Sequence, residues 1–132
     1  MTKLAIASPA ITTIPVHGSD EVFPVRRVYC IGRNYADHVI EMGNDPKESP
    51  IFFQKNADNV DTSGKFPYPP QSNDVHHELE LVMALKSGGS NISEADAYKH
   101  IYGFAVGLDM TRRDLQAVAK KGGKPWEVGK AF

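Results

Sequence analysis

Three acidic residues give the first hint of chemistry. Glu78 and Glu80 are separated by Leu79. In a strand, alternation points both carboxylates to one face and sends Leu79 and Leu81 to the other. Two like charges on one strand face, next to an apolar stretch, are unfavourable unless water or a cation neutralises them. Oxygen donors of this kind suit hard cations such as Mg²⁺ or Ca²⁺. Taken alone, the pair reads better as a solvated strand face. Asp109 shifts that balance, because it stands where an apolar strand gives way to a helix start, a place where functional carboxylates are common.

Two further pairs sit at helical spacing. His38 and Glu41 are three apart and share a helix face. Such a pair can orient an imidazole so that it draws a proton from water, or it can be a local hydrogen bond on a solvated helix. Arg113 and Gln116 share a face of the helix that follows Asp109. Arg113 could hold a substrate carboxylate, or the two could be ordinary surface residues. Cys30 has no thiolate-stabilising context beyond Arg33 and reads as a core thiol. His76 and His77 precede the acidic pair; one is expected to pack or hydrogen-bond structurally, with a role behind the ligands also open.

The elements that must position these residues are short. Ile11 to Val25 reads as an edge strand or hairpin, with Gly18 and Asp20 as turn material. Val28 to Ile31 and Ile51 to Gln54 read as buried strands. Asn34 caps an expected helix from about Tyr35 to Met42, which Gly43 ends. Asp58 to Pro70 reads as a surface loop, and Glu78 to Leu85 and Tyr102 to Leu108 as strands. Ser93 with Asp96, and Thr111 with Asp114, look like capping boxes for helices starting near Glu94 and Arg112. Gly122, Gly123 and Pro125 stop the second helix, and Trp126 to Phe132 is expected to start another strand. Many strands, few helices and irregular alternation predict a strand-dominated α+β fold rather than a doubly wound sheet.

Composition excludes some partners. Fifteen Lys and Arg against sixteen Asp and Glu give a net charge of −1, which offers no basic field for nucleic acid or a membrane surface. No run approaches the ~20 apolar residues of a membrane-spanning helix. A single cysteine allows no internal disulfide, so a cytoplasmic setting is expected.

Taken in order, five stretches resemble the fumarylacetoacetate hydrolase family. They are Tyr29-Cys30-Ile31-Gly32-Arg33-Asn34-Tyr35-Ala36-Asp37-His38, Pro50-Ile51-Phe52-Phe53-Gln54-Lys55, His76-His77-Glu78-Leu79-Glu80-Leu81, Leu108-Asp109-Met110-Thr111-Arg112-Arg113-Asp114-Leu115-Gln116, and Lys124-Pro125-Trp126 with Lys130-Ala131-Phe132. The resemblance runs from about Val28 to the C-terminus. It divides the chain into a 1–27 extension and a 28–132 portion similar to the N-terminal part of the catalytic domain. It implies a rolled, mixed β-sheet with short helices.

The resemblance also implies a site. Glu78, Glu80 and Asp109 become ligands of Mg²⁺, with Mn²⁺ or Ca²⁺ as substitutes, and Ile31 stands where some relatives carry a fourth carboxylate. His38 and Glu41 become the water-activating pair, and Lys130 supports developing negative charge. Arg33, Gln116 and, less directly, Arg113 contact the substrate. The implied reaction is metal-dependent cleavage of a C–C bond in a 2,4-dioxo acid such as fumarylpyruvate, as in the breakdown of aromatic acids, giving pyruvate and a second acid. A decarboxylase or tautomerase of an oxo acid, or a non-catalytic metal-binding module, are the alternatives. A homodimer is implied for the full-length protein. Because the family's catalytic core continues past the position of Phe132, this chain alone is expected to expose apolar surface and to be a weak catalyst.

Overall fold

A computed structural model of the chain describes residues 3–32, 34–35 and 49–132. Arg33, His38, Glu41 and all but the first residue of the helix expected from Tyr35 to Met42 lie outside the described residues. The strands are β1 (Thr13–Pro15), β2 (Val22–Pro24), β3 (Val28–Gly32), β4 (Ile51–Lys55), β5 (Val75–Leu85) and β6 (Ile101–Arg112). The helices are α1 (Glu94–Ala97), α2 (Arg113–Lys121) and α3 (Glu127–Lys130). The fold is strand-dominated α+β, as expected. Among the described residues every pairing is antiparallel, in three two-stranded ribbons, β1–β2, β3–β4 and β5–β6. The expected N-terminal hairpin forms, and Gly18 takes the left-handed φ of +74° that its turn requires.

The β5–β6 ribbon organises the rest. Its register places Glu78 opposite Asp109 and Glu80 opposite Gly107. Asp109 therefore does not sit at the junction of a strand and a helix: β6 continues three residues past it, because Val75 to His77 extend the ladder to Arg112. The helix start is also built differently from the expected capping box. Arg112 is the N-cap and makes no side-chain cap. Thr111 is fully buried in the strand, and Asp114 instead accepts hydrogen bonds from Ser72 Oγ at 2.7 Å and the Asn73 amide at 3.0 Å. This tethers the preceding loop to α2. At the other expected box only half forms: Ser93 caps the helix by accepting from the Asp96 amide at 3.2 Å, while the Asp96 carboxylate accepts from the Ser93 hydroxyl rather than from its backbone amide.

The C-terminal stretch is a helical turn rather than the expected strand. The amides of Gly129 and Lys130 both donate to the Trp126 carbonyl at 2.9 Å. Gly129 allows α3 to close on α2: a Cβ there would meet the Gln116 amide nitrogen at 2.9 Å and its Cα at 3.0 Å. That close approach turns Lys130 inward.

The buried centre is largely polar. Asp109, Thr111 and Lys130 are among the few buried residues, with Ser72 and Ala119. On the opposite face of the β5–β6 ribbon, Leu79, Leu81, Phe104, Val106 and Leu108 are each more than half exposed. They stand as cross-strand pairs, Leu79 with Leu108 and Leu81 with Val106, and Met83 pairs with Phe104. A continuous apolar face of this kind is stable only when covered, which agrees with the exposure expected from the sequence. Among the described residues no helix is long and apolar enough to cross a membrane.

Candidate metal centre

Strand pairing places two of the three predicted ligands face to face. Glu78 and Asp109 are direct cross-strand partners, and Glu80 lies one pleat further along the same face of β5. Unpaired, carboxylates so placed would repel. Three cations hold them instead. Lys130, only 2% exposed, directs its three ammonium donors at Glu78 Oε2 (2.6 Å), Asp109 Oδ2 (2.9 Å) and Thr111 Oγ1 (2.7 Å). That uses its full donor set, which is what makes burial of the charge tolerable. Arg113 donates to Glu78 Oε1, and its other terminal nitrogen donates to Gln116 Oε1 at 2.6 Å. Lys55 Nζ lies 2.9 Å from Asp109 Oδ1.

The structure therefore brings together Glu78, Asp109, Arg113, Gln116 and Lys130, with Glu80 beside them. Arg113 is engaged with Glu78 and Gln116 rather than left free. Behind it, Arg113 Nε reaches His76 Nδ1 at 3.3 Å, and His76 Nε2 lies 2.9 Å from Asp74 Oδ1. His76 is thus the histidine that backs the site. His77 is exposed.

Two residues of the site carried no assigned function in the sequence. Thr111 read as a helix cap, but it anchors Lys130. Lys55 lies within the Pro50–Lys55 stretch, where nothing in its local sequence marks a chemical role. Its signal was its phase: Ile51, Phe53 and Lys55 fall at a two-residue period, and the structure turns all three inward.

The electrostatics separate the two glutamates. Burial pushes the Glu78 carboxyl up, but hydrogen bonds and charge from Lys130 and Arg113 outweigh it and hold the group below the ordinary carboxylate range. Glu80 moves the other way. Burial raises it, the charges of Asp109 and Glu78 add to that, and a hydrogen bond from Tyr35 offsets only part. Glu78 thus stabilises the fold above its unfolded-state pKa, and this contribution is lost as pH falls through its lower folded value. Ionised Glu80 costs stability at neutral pH, and the cost is relieved as pH falls through its raised folded value. Glu78→Gln should lower the melting temperature at neutral pH, with a deficit that shrinks in acid. Glu80→Gln should leave it unchanged or raise it. Thermal melts from about pH 3 to about pH 8 test this; a larger loss for Glu80→Gln at neutral pH contradicts it. Burial also pushes the Cys30 thiol up to about 11, as suits an inert core thiol rather than a nucleophile.

The donor set fits a hard divalent cation. Asp109 Oδ1 is buried and accepts no hydrogen bond, since Lys55 meets it as an ion pair without hydrogen-bond alignment. A buried carboxylate, with a second carboxylate opposite and a third beside it on the strand face, is the chemistry such an ion takes. As the side chains lie, no three His, Cys, Asp or Glu among the described residues converge on one ion position. The Lys130 ammonium lies between Glu78 and Asp109, so a cation sharing their oxygens must displace it.

The acidic cross-strand pair and the inward lysine mark a class. The chain belongs to the fumarylacetoacetate (FAA) hydrolase family, whose C-terminal domain matches residues 27–132. It is 50% identical to the fumarylpyruvate hydrolase from Pseudomonas aeruginosa, solved in complex with Mn²⁺ and pyruvate, with a TM-score of 0.94 over 98% of this chain and 58% of that one. A fumarylpyruvate hydrolase from a Ralstonia species is 46% identical over 84 residues, 63% of this chain and 44% of that protein. A mitochondrial oxaloacetate tautomerase from Caenorhabditis elegans is 40% identical over 107 residues, 80% of this chain and 50% of that protein. The chain spans about half the length of the curated relatives it matches.

Proposed function

We propose that this chain carries the metal-binding half of an acylpyruvate hydrolase, with fumarylpyruvate as the favoured substrate. The observation that carries the reading is the Glu78–Asp109 cross-strand pair, with Glu80 on the same strand face. The likeness to the Pseudomonas aeruginosa fumarylpyruvate hydrolase supports the choice of substrate. Glu78, Glu80 and Asp109 would hold Mg²⁺, with Mn²⁺ or Ca²⁺ as substitutes. When bound, the ion supplies Lewis-acid stabilisation for an enolate oxygen and an anchor for the substrate carboxylate. Lys130 stands beside these carboxylates to balance developing negative charge. His38, oriented by Glu41, takes a proton from the water that attacks the 4-carbonyl. The C3–C4 bond then breaks, and protonation of the released enolate gives pyruvate beside the second acid. Arg33, Arg113 and Gln116 orient the substrate's carboxylates.

A second reading rests on the oxaloacetate tautomerase relative. Tautomerisation or decarboxylation of an oxo acid uses the same metal and enolate chemistry and does not need the His38 water. Pyruvate release from fumarylpyruvate, acetylpyruvate and oxaloacetate, with the enol–keto conversion of oxaloacetate followed in parallel by its ultraviolet absorbance, each with Mg²⁺ and with chelator, decides between them. Hydrolysis of the acylpyruvates should require the metal and be abolished by His38→Ala. If His38→Ala retains all activity and only oxaloacetate reacts, the second reading replaces the first. The activity is assigned to a protein of the relatives' length. Vigorous turnover by the 132-residue chain alone would refute the expectation that its exposed apolar face needs cover.

A further inference from the structure

Lys55 is a charged group at the metal centre with no part in the proposed reaction. It is 14% exposed, and its ammonium is fixed by backbone. It donates to the Met110 carbonyl at 2.9 Å and to the Lys130 carbonyl. Those carbonyls belong to the residue after Asp109 and to the residue whose own ammonium binds Asp109. Lys55 cannot swing away from Asp109 Oδ1 without breaking both bonds to backbone, whereas the Lys130 ammonium is held by the side-chain oxygens of Glu78, Asp109 and Thr111.

Among the described residues of the metal centre the charges then balance with no metal present. Lys55, Arg113 and Lys130 carry three positive charges; Glu78, Glu80 and Asp109 carry three negative. A divalent cation entering alone leaves this half-buried cluster two charges in excess. An ion arriving with a dianionic chelator leaves it neutral. At an effective dielectric of ~20, a fixed ammonium about 5 Å from the ion is enough to change its affinity more than tenfold.

We propose that Lys55 is a positioning residue that locks Asp109 against Lys130. Its fixed positive charge also holds down the affinity for a bare divalent cation, so that metal and dianionic ligand bind as a coupled pair. This rests on the metal-site reading above and deepens it.

The test is calorimetric titration of the chain with Mn²⁺, with and without saturating oxalate, after correction for the Mn²⁺–oxalate equilibrium in solution. The variants are Lys55→Met, Lys55→Gln and Lys55→Arg, each checked for folding by thermal melts. Lys55→Met and Lys55→Gln should bind Mn²⁺ alone at least ~10-fold more tightly than wild type. In both, the gain in Mn²⁺ affinity on adding oxalate should shrink. Lys55→Arg, which keeps the charge, should behave like wild type. Gln can still hydrogen-bond a carbonyl, so it decides the matter if the Met variant does not fold. A purely structural lysine predicts the reverse: weaker or unchanged Mn²⁺ binding in the neutral variants overturns the proposal. No Mn²⁺ binding by wild type, with or without oxalate, overturns the metal-site reading itself and this proposal with it.

Discussion

Lys130→Met should lower the melting temperature of the metal-free chain by on the order of 10 °C, and Mn²⁺ should restore much of the loss. The ammonium is buried and hydrogen-bonds Glu78, Asp109 and Thr111. Removing it leaves two carboxylates facing each other across the β5–β6 ladder with one cation fewer. Breaking a buried ion pair by deleting one partner costs about 3–5 kcal/mol, and a domain of this size loses a few degrees for each. A divalent cation competes with this ammonium for the same oxygens. Mn²⁺ should therefore stabilise the variant more than it stabilises wild type. Differential scanning calorimetry in chelator and in Mn²⁺ checks both parts. An equal shift for the two proteins would show that the ammonium and the metal do not share a position.

Asp109→Asn should be nearly as costly to the fold and more costly to metal binding. The substitution keeps the shape but removes the charge that pairs with both Lys55 and Lys130. Two lysine ammoniums would then remain, the more deeply buried one with only Glu78 as its anionic partner. The expected loss is about 3 kcal/mol of stability, with Mn²⁺ affinity down ~100-fold or more once a charged ligand has become neutral. Glu80→Gln should weaken Mn²⁺ binding less, because Glu80 lies opposite Gly107 rather than opposite another carboxylate. Mn²⁺ affinity that survives Asp109→Asn would remove Asp109 from the ligand set.

How far the sequence discloses this site depends on how local each feature is. The shared face of Glu78 and Glu80 follows from strand periodicity alone, and the structure keeps them in one strand. The Ser93 cap and the N-terminal hairpin are likewise local and form as expected. Asp109 was legible as a candidate but misplaced, because Thr111-Arg112-Arg113-Asp114 has the local chemistry of a helix start. The partner strand, more than thirty residues away, extends β6 through Thr111 instead. Trp126 to Phe132 has strand-like composition, yet the close approach of Gly129 to Gln116 makes it a helical turn. Register and helix docking are long-range effects, so no local pattern could have paired Glu78 with Asp109 or turned Lys130 between them. Lys55 is the intermediate case. Its phase with Ile51 and Phe53 was visible, but a lysine at a strand end ordinarily faces water.

The central claim is that Glu78, Glu80 and Asp109 form a divalent cation site. The most direct test is titration of the chain with Mn²⁺ in the presence of oxalate, following the free-ion signal by electron paramagnetic resonance. Saturable uptake of one Mn²⁺ per chain, abolished together in Glu78→Gln and Asp109→Asn variants that remain folded, is the predicted result. No saturable uptake by wild type, or uptake unchanged in those folded variants, would contradict it.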